Sequence, residues 1–231
     1  VDGPDGTPAG GSWLVEMTGV MARLRAECPW KAEQTPASLR RYLLEEAHET
    51  LEALDALAAG RTDAAAWAHL REELGDLLLQ VYFHAAIAAE QPPGAGRFDI
   101  EDVAHGLVEK MLRRNPHVFG PDPAAGTDGP RTAAEVDAEW QRIKAAEKSE
   151  RRAPTDGVPA SLPALLWAEK VLGRLEPQDR AAAVPTPADP QERLGEDLLA
   201  LVERARAEGL DAELALRDAV RRRLPEGPAA R

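Results

Sequence analysis

Five carboxylates in two short runs are the residues of this chain best placed to do chemistry. Glu45, Glu46 and Glu49 recur at helical spacing, and Glu73 and Asp76 repeat the three-residue step further along. Residues three and four apart on a helix carry side chains about 5–6 Å from one another, near enough for two carboxylates to share a hard cation. Magnesium takes an octahedron of oxygens at about 2.0–2.1 Å and completes it with water and phosphate. Four or five acids facing one another across a helix pair meet that demand, with manganese as a substitute. Zinc does not suit them, because the chain has a single cysteine, Cys28, and no paired histidines accompany these acids. On the first run alone, a solvated acidic face explains the residues equally well. The second run shifts the balance. Leu74 centres an apolar stripe, Leu79 and Phe83 lie on nearly the opposite side, and Glu73, Asp76 and Gln80 occupy the band between. A carboxylate flanked by apolar surface is costly without a counter-charge. Gly75 sits inside this run and costs a helix up to about 1 kcal/mol against Ala. A close approach by the facing helix, a metal or a water would account for it, as would ordinary packing.

The elements that position these acids follow from caps and breakers. Residues 1–11, rich in Gly, Pro and Asp, read as a disordered tail. Ser12 is placed to cap a helix whose apolar residues are Trp13, Met17, Val20, Met21 and Leu24, and Cys28-Pro29-Trp30 ends it. Thr35 before Pro36 opens the helix of the first acidic run, which extends to about Ala59 and stops at Gly60. The helix of the second run begins near Asp63, with Trp67, Leu70, Leu74, Leu77, Leu78, Val81, Ala85 and Ala88 as its expected core stripe. Gln91 to Arg97 breaks it, Asp99 caps a fourth helix, and Pro116 closes that one. Thr132 and Glu135 form a capping-box pattern for a polar helix reaching about Lys148. A linker at 151–160 precedes a helix from Ser161 to about Leu175, a proline-rich gap, and two more helical stretches. No segment alternates with period two, so the chain reads as all-α.

Composition narrows the function. Of 231 residues, 44% are hydrophobic, 29% charged and only 4% aromatic, as expected of a helical globular protein. A net charge of −12 repels a phosphate backbone, which argues against nucleic acid as a partner. The longest apolar stretch, Leu77 to Ala89, is broken by Gln80 and His84 and is too short for a bilayer, so no membrane is expected. One cysteine suits a reducing, cytoplasmic setting.

Taken in order, these residues resemble a known family. Cys28-Pro29-Trp30 with Gln34-Thr35, Tyr42-Leu-Leu-Glu-Glu, the Glu45-Glu46-Ala-His-Glu49 and Glu73-Leu-Gly-Asp76 pair, and Arg114-Asn-Pro-His-Val-Phe119 are similar to the MazG branch of the all-α nucleoside triphosphate pyrophosphohydrolases. The resemblance implies a catalytic domain at 12–150, built as a helical bundle with four-helix character on homodimerisation. It implies magnesium held by Glu46, Glu49, Glu73 and Asp76, with Glu45 as a further catalytic member that holds a second ion or orients water. It also implies that Lys110, Arg114, Trp140 and Lys144 contact the nucleoside triphosphate, the reaction being NTP + H2O → NMP + diphosphate in the service of the nucleotide pool. Lys31 stands where the family has an acid, so that segment receives no catalytic role, and His48 and His84 are read as structural. Leu194-Gly-Glu-Asp-Leu-Leu resembles a second copy of the Leu74-Gly-Asp-Leu-Leu segment. No EExxE helix accompanies it, which implies a degenerate second domain at 161–231. The alternatives are a narrower enzyme of the dUTP or phosphoribosyl-ATP type, or a non-catalytic helical module that binds nucleotide.

Overall fold

The computed structural model describes residues 12–120, 132–147, 153–175 and 189–224. These residues form helices, with no strand among them. The chain divides into two compact units, Val1–Trp140 and Gln141–Arg231. The proline-rich gap lies largely outside the described residues.

In the first unit, α1 (Trp13–Glu27) is followed by a one-turn helix, α2 (Pro29–Glu33). Two long helices come next, α3 (Pro36–Ala58) and α4 (Ala64–Ala89), then α5 (Ile100–Arg114) and the short α6 (Pro116–Phe119). Helix α7 (Ala133–Ala146) crosses the division between the units. The expected starts hold where a side chain satisfies the first free amides. Thr35 and Ser38 make a reciprocal capping box, Asp63 accepts from the Ala66 amide, and Asp99 accepts from those of Glu101 and Asp102. Each such cap is worth about 1 kcal/mol. Ser12 occupies the N-cap position of α1, but its hydroxyl makes no capping bond. Gly60, with φ of 90°, takes the left-handed conformation that lets α3 turn back as α4.

Helices α3 and α4 pack along their length as a hairpin, and α1 and α5 lie against α4. Met21 of α1, Leu39 of α3, and Tyr82, Phe83 and Ile87 of α4 form the core, with Tyr42, Leu79 and Ile100 packed around it. Each such side chain, taken fully out of water, contributes about 1.5–3 kcal/mol. The Tyr82 hydroxyl donates to the Leu14 carbonyl at 2.7 Å and ties α4 to the start of α1. Arg25 fastens the other end. Its guanidinium donates to both Glu90 carboxylate oxygens, at 2.7 and 2.5 Å, and to the carbonyls of Lys31, Ala32 and Gln34, so it closes α2 against α4. That bonding raises the Arg25 pKa and holds the Glu90 carboxyl below its ordinary value.

Helix α4 departs from the expected core stripe. Trp67, Leu74, Leu78 and Val81 are exposed, Leu74 by 49%, while Glu73 and Gln80 on the acidic band are buried at 8% and 4% exposure. Glu73 of the band meets α3, and of the expected stripe Leu70 and Ala85 are buried while Trp67, Leu74, Leu78 and Val81 stay outside along with Leu43, Leu44, Leu51 and Leu54 of α3. Gly75 is not explained by crowding either, since a Cβ built there meets nothing within 4 Å.

The second unit contains α8 (Ala164–Leu172), α9 (Pro190–Ala207) and α10 (Ala212–Arg221), each in contact with the other two. Asp189 and Asp211 cap the last two by accepting backbone amides. Leu172 and Val202 are its buried apolar residues among the described residues.

Candidate active site

The hairpin brings the two acidic runs together. One carboxylate oxygen from each of Glu46, Glu49 and Glu73 lies within 4.8 Å of the other two. Glu46 and Glu49 come from adjacent turns of α3, and Glu73 comes from the facing turn of α4. The buried Thr50 hydroxyl donates to the Glu73 carbonyl at 3.5 Å and pins the two helices at this level. Asp76 lies outside the mutual triad but acts on the same acid. The Glu46 carboxyl is pushed above its ordinary pKa by burial first, then by the charges of Asp76, Glu49 and Glu73, and by a hydrogen bond with Glu49.

No Lys or Arg pairs with Glu46, Glu49, Glu73 or Asp76 among the described residues. The sole ion-pair partner is His69, whose Nδ1 lies 3.2 Å from a Glu73 oxygen one turn along α4. Four carboxylates gather here, one of them buried, and among the described residues only His69 pairs with any of them. Uncompensated charge of that kind is retained where a cation or a reaction needs it. The donor set is all oxygen and suits a hard divalent ion.

The remaining expected residues divide. Glu45 is exposed and turned to Arg41, with Oε1 at 3.1 Å from a guanidinium nitrogen, so it stands apart from the triad. Arg114, 8% exposed at the end of α5, lies over the Trp140 ring at 5.2 Å from its centroid, a cation–π contact that joins two of the expected nucleotide contacts. Lys110 is exposed one turn before Arg114. Lys144 belongs to the second unit.

Two features were not foreseen. His69 carries no motif signal; only its four-residue step to Glu73 could have suggested it. Beyond the cluster, the Gln80 Oε1 and His84 Nε2 atoms are buried with no hydrogen-bond partner. Near that end of the hairpin, Trp30 of α2 meets the Tyr42 ring edge-on with centroids 5.9 Å apart, and Lys31 Nζ lies 5.2 Å from the Phe83 ring centroid.

Comparison with known proteins gives a family match and several relatives. Residues 34–119 match the MazG nucleotide pyrophosphohydrolase domain. That span holds the whole carboxylate cluster, Lys110 and Arg114, and stops short of Trp140. A nucleoside triphosphate pyrophosphohydrolase of Escherichia coli K12 is 37% identical over 228 residues, covering 87% of this chain and 80% of that protein. One from Mycolicibacterium smegmatis is 44% identical over 170 residues, covering 73% of this chain and 47% of that protein. An uncharacterized 26.1 kDa protein of Streptomyces cacaoi is 43% identical over 213 residues, covering 90% of this chain and 78% of its own length. The chain therefore spans about half the length of the mycobacterial relative and most of the other two.

Proposed function

The chain belongs to the MazG nucleotide pyrophosphohydrolase family, and on that premise we propose that it cleaves nucleoside triphosphates between the α- and β-phosphates, releasing a monophosphate and diphosphate. The observation that carries this reading is the unneutralised group of Glu46, Glu49 and Glu73, with Asp76 beside it. These four residues would hold magnesium, or manganese in its place. A divalent ion there supplies charge stabilisation for phosphate oxygens and a more acidic bound water.

The chain's own groups set up the rest. Thr50 holds the Glu73 backbone carbonyl at this level of the hairpin, and His69 pairs with one oxygen of the Glu73 carboxylate. Glu45, paired with Arg41 outside the triad, would have to leave that pair to orient the attacking water. Lys110 and Arg114 are assigned to the charge that develops on the departing diphosphate. Trp140, already stacked by Arg114, is assigned to the nucleotide, and so is Lys144. The uncovered leucines of α3 and α4, with Leu107, Met111 and Leu112 of α5, support a homodimer that completes a four-helix arrangement. Removal of unwanted nucleotides in the cytoplasm is the role this chemistry suits.

Product analysis tests the reading. Incubation of a mixed nucleotide pool with Mg²⁺ should give monophosphates and diphosphate, and a chelator should stop it. Release of nucleoside diphosphate and orthophosphate, or none at high protein concentration, would sink the assignment; the latter would favour a binding module.

A further inference from the structure

The acidic band of α4 does not end at the carboxylates. At about 100° per residue, Glu73, Gln80 and His84 fall within about 40° of one another, so they share the face of α4 that meets α3 at Glu73. Glu73 serves the cluster, whereas Gln80 Oε1 and His84 Nε2 serve nothing in the structure. Gln80 is 4% exposed. A buried polar atom left without a partner costs about 1–3 kcal/mol, so a side chain that keeps one buried needs a reason. The core offers none. An apolar side chain at position 80 would pack beside Leu79 and Phe83 without that penalty.

The location supplies a reason. Gln80 is one helical turn, about 6 Å, beyond Asp76, and His84 is one turn further. On the facing helix, Tyr42 is one turn before Glu46 and packs against the same core as Leu79 and Phe83. Because α3 and α4 form a hairpin, both rows lead from the carboxylates toward the same end. There Trp30, 48% exposed on the one-turn α2, leans edge-on against Tyr42. A nucleotide with its α-phosphate at the cluster that runs along this line would place its sugar one step on and its base beyond.

We propose that Gln80, with His84 behind it, selects the nucleoside by hydrogen bonding to the sugar hydroxyls of the bound nucleotide. This rests on the pyrophosphohydrolase reading only in placing the phosphates at the carboxylates. Gln80 Oε1 accepts a hydroxyl proton, and His84 Nε2 completes the polar pair. Both atoms are buried, so binding requires a side chain to move.

The test uses the full-length protein with Mg²⁺ and triphosphates whose α,β-bridging oxygen is replaced by an imido group. The best-bound of four common nucleosides is compared by calorimetry with its 2′,3′-dideoxy counterpart. The wild type should bind the dideoxy compound at least about 10-fold more weakly. In Gln80→Met the ribonucleotide should fall to the dideoxy level while the dideoxy affinity stays put. Because an unsatisfied amide is removed, the variant should melt no lower than the wild type. Equal binding of the two compounds by the wild type overturns the proposal without need of a variant. So does a Gln80→Met loss that is the same for both. A wild type that shows the sugar preference but never forms monophosphate overturns the pyrophosphohydrolase reading and leaves Gln80 its role.

Discussion

Helices α4 and α9 carry related stretches, Leu74-Gly-Asp-Leu-Leu and Leu194-Gly-Glu-Asp-Leu-Leu, and the two units treat them differently. In the first, α4 meets a helix with acids at the same level, so Glu46, Glu49, Glu73 and Asp76 are forced together and Glu46 is pushed up. In the second, α9 meets α8, whose one acid, Glu169, is neutralised by Arg206 at 3.2 Å and Lys170 at 3.3 Å. No second group of metal-capable side chains forms among the described residues. An acidic motif thus acquires chemistry from the helix it faces. Where an arginine answers the carboxylate, the pair is a surface ion pair worth little. Where nothing answers, the charge is left available to a ligand.

The largest effect should separate these two fates directly. Glu49→Gln or Asp76→Asn removes a charge without changing shape, and each should cost more than about 100-fold in hydrolysis, several kcal/mol of charge stabilisation. Helicity by circular dichroism should be unchanged. Glu169→Gln, in the second unit, should leave the rate within about twofold. Retained activity in both first-unit variants would mean the cluster is not the site.

Removing the second unit's helices puts the same comparison at the level of domains. A protein ending at residue 155 keeps α1 to α7, and with them every assigned metal and nucleotide contact, including Lys144. It should hydrolyse nucleotides with the metal dependence of the full chain, while residues 156–231 alone should be inert. If the shortened protein is folded yet dead, α8 to α10 contribute to catalysis and the contrast between the units fails.

A subtler difference lies in how stability responds to pH. The folded-state pKa of Glu46 is raised, so protonation of this carboxyl favours the fold. That contribution is complete below the ordinary carboxyl range and is lost as pH rises through the raised value. As pH rises toward 7 the metal-free wild type therefore loses that contribution, and Glu46→Gln should melt higher than wild type there. The gap should close as pH falls toward the ordinary carboxyl value. Added Mg²⁺ should stabilise the wild type and do far less for the variant. Glu169→Gln loses its arginine partner, so it should melt slightly lower, by less than about 1 kcal/mol. Thermal melts of the two variants at pH 5 and pH 7 would expose a wrong sign in either.

Much of this architecture could be read before any coordinates. Thr35, Asp63, Asp99 and the Thr132–Glu135 pair begin helices because each meets a local demand, a free amide one turn ahead, and local demands are written in adjacent residues. The meeting of Glu46 and Glu49 with Glu73 was legible for a similar reason, since helical spacing and a short connection nearly determine it. What was not legible depends on partners far away in sequence. Cys28-Pro29-Trp30 ends α1 as read, but Pro29 to Glu33 also forms its own turn, held by Arg25 reaching across to Glu90. The Leu74 stripe reads as core and is covered only in part, at Leu70 and Ala85, while Trp67, Leu74, Leu78 and Val81 are left outside, because the greasiest face of a helix need not be the one its own chain covers. Glu45 lies in the same arc as its neighbours, yet Arg41 one turn earlier draws it away. The bareness of Gln80 and His84 has no signature in sequence at all.

The smallest expected effect comes from the glycine that the two related stretches share. Gly75 and Gly195 are both mid-helix, and a Cβ built at either meets nothing within 4 Å. From the chain alone, Gly75→Ala and Gly195→Ala should therefore behave alike, each gaining up to about 1 kcal/mol as backbone entropy is lost from the unfolded state. The proposed dimer breaks that symmetry. Gly75 lies beside Leu74 and Leu78 on the uncovered side of α4, where a second copy would be drawn, and a bare backbone there permits close helix approach. If a partner helix comes that near, Gly75→Ala should lower the melting temperature and weaken association, while Gly195→Ala still raises it. Chemical denaturation together with sedimentation over a range of protein concentrations would show which holds. Two equal stabilisations with an unchanged oligomeric state would mean that the glycine of the active unit serves no interface, and that the space around it is open in solution as well.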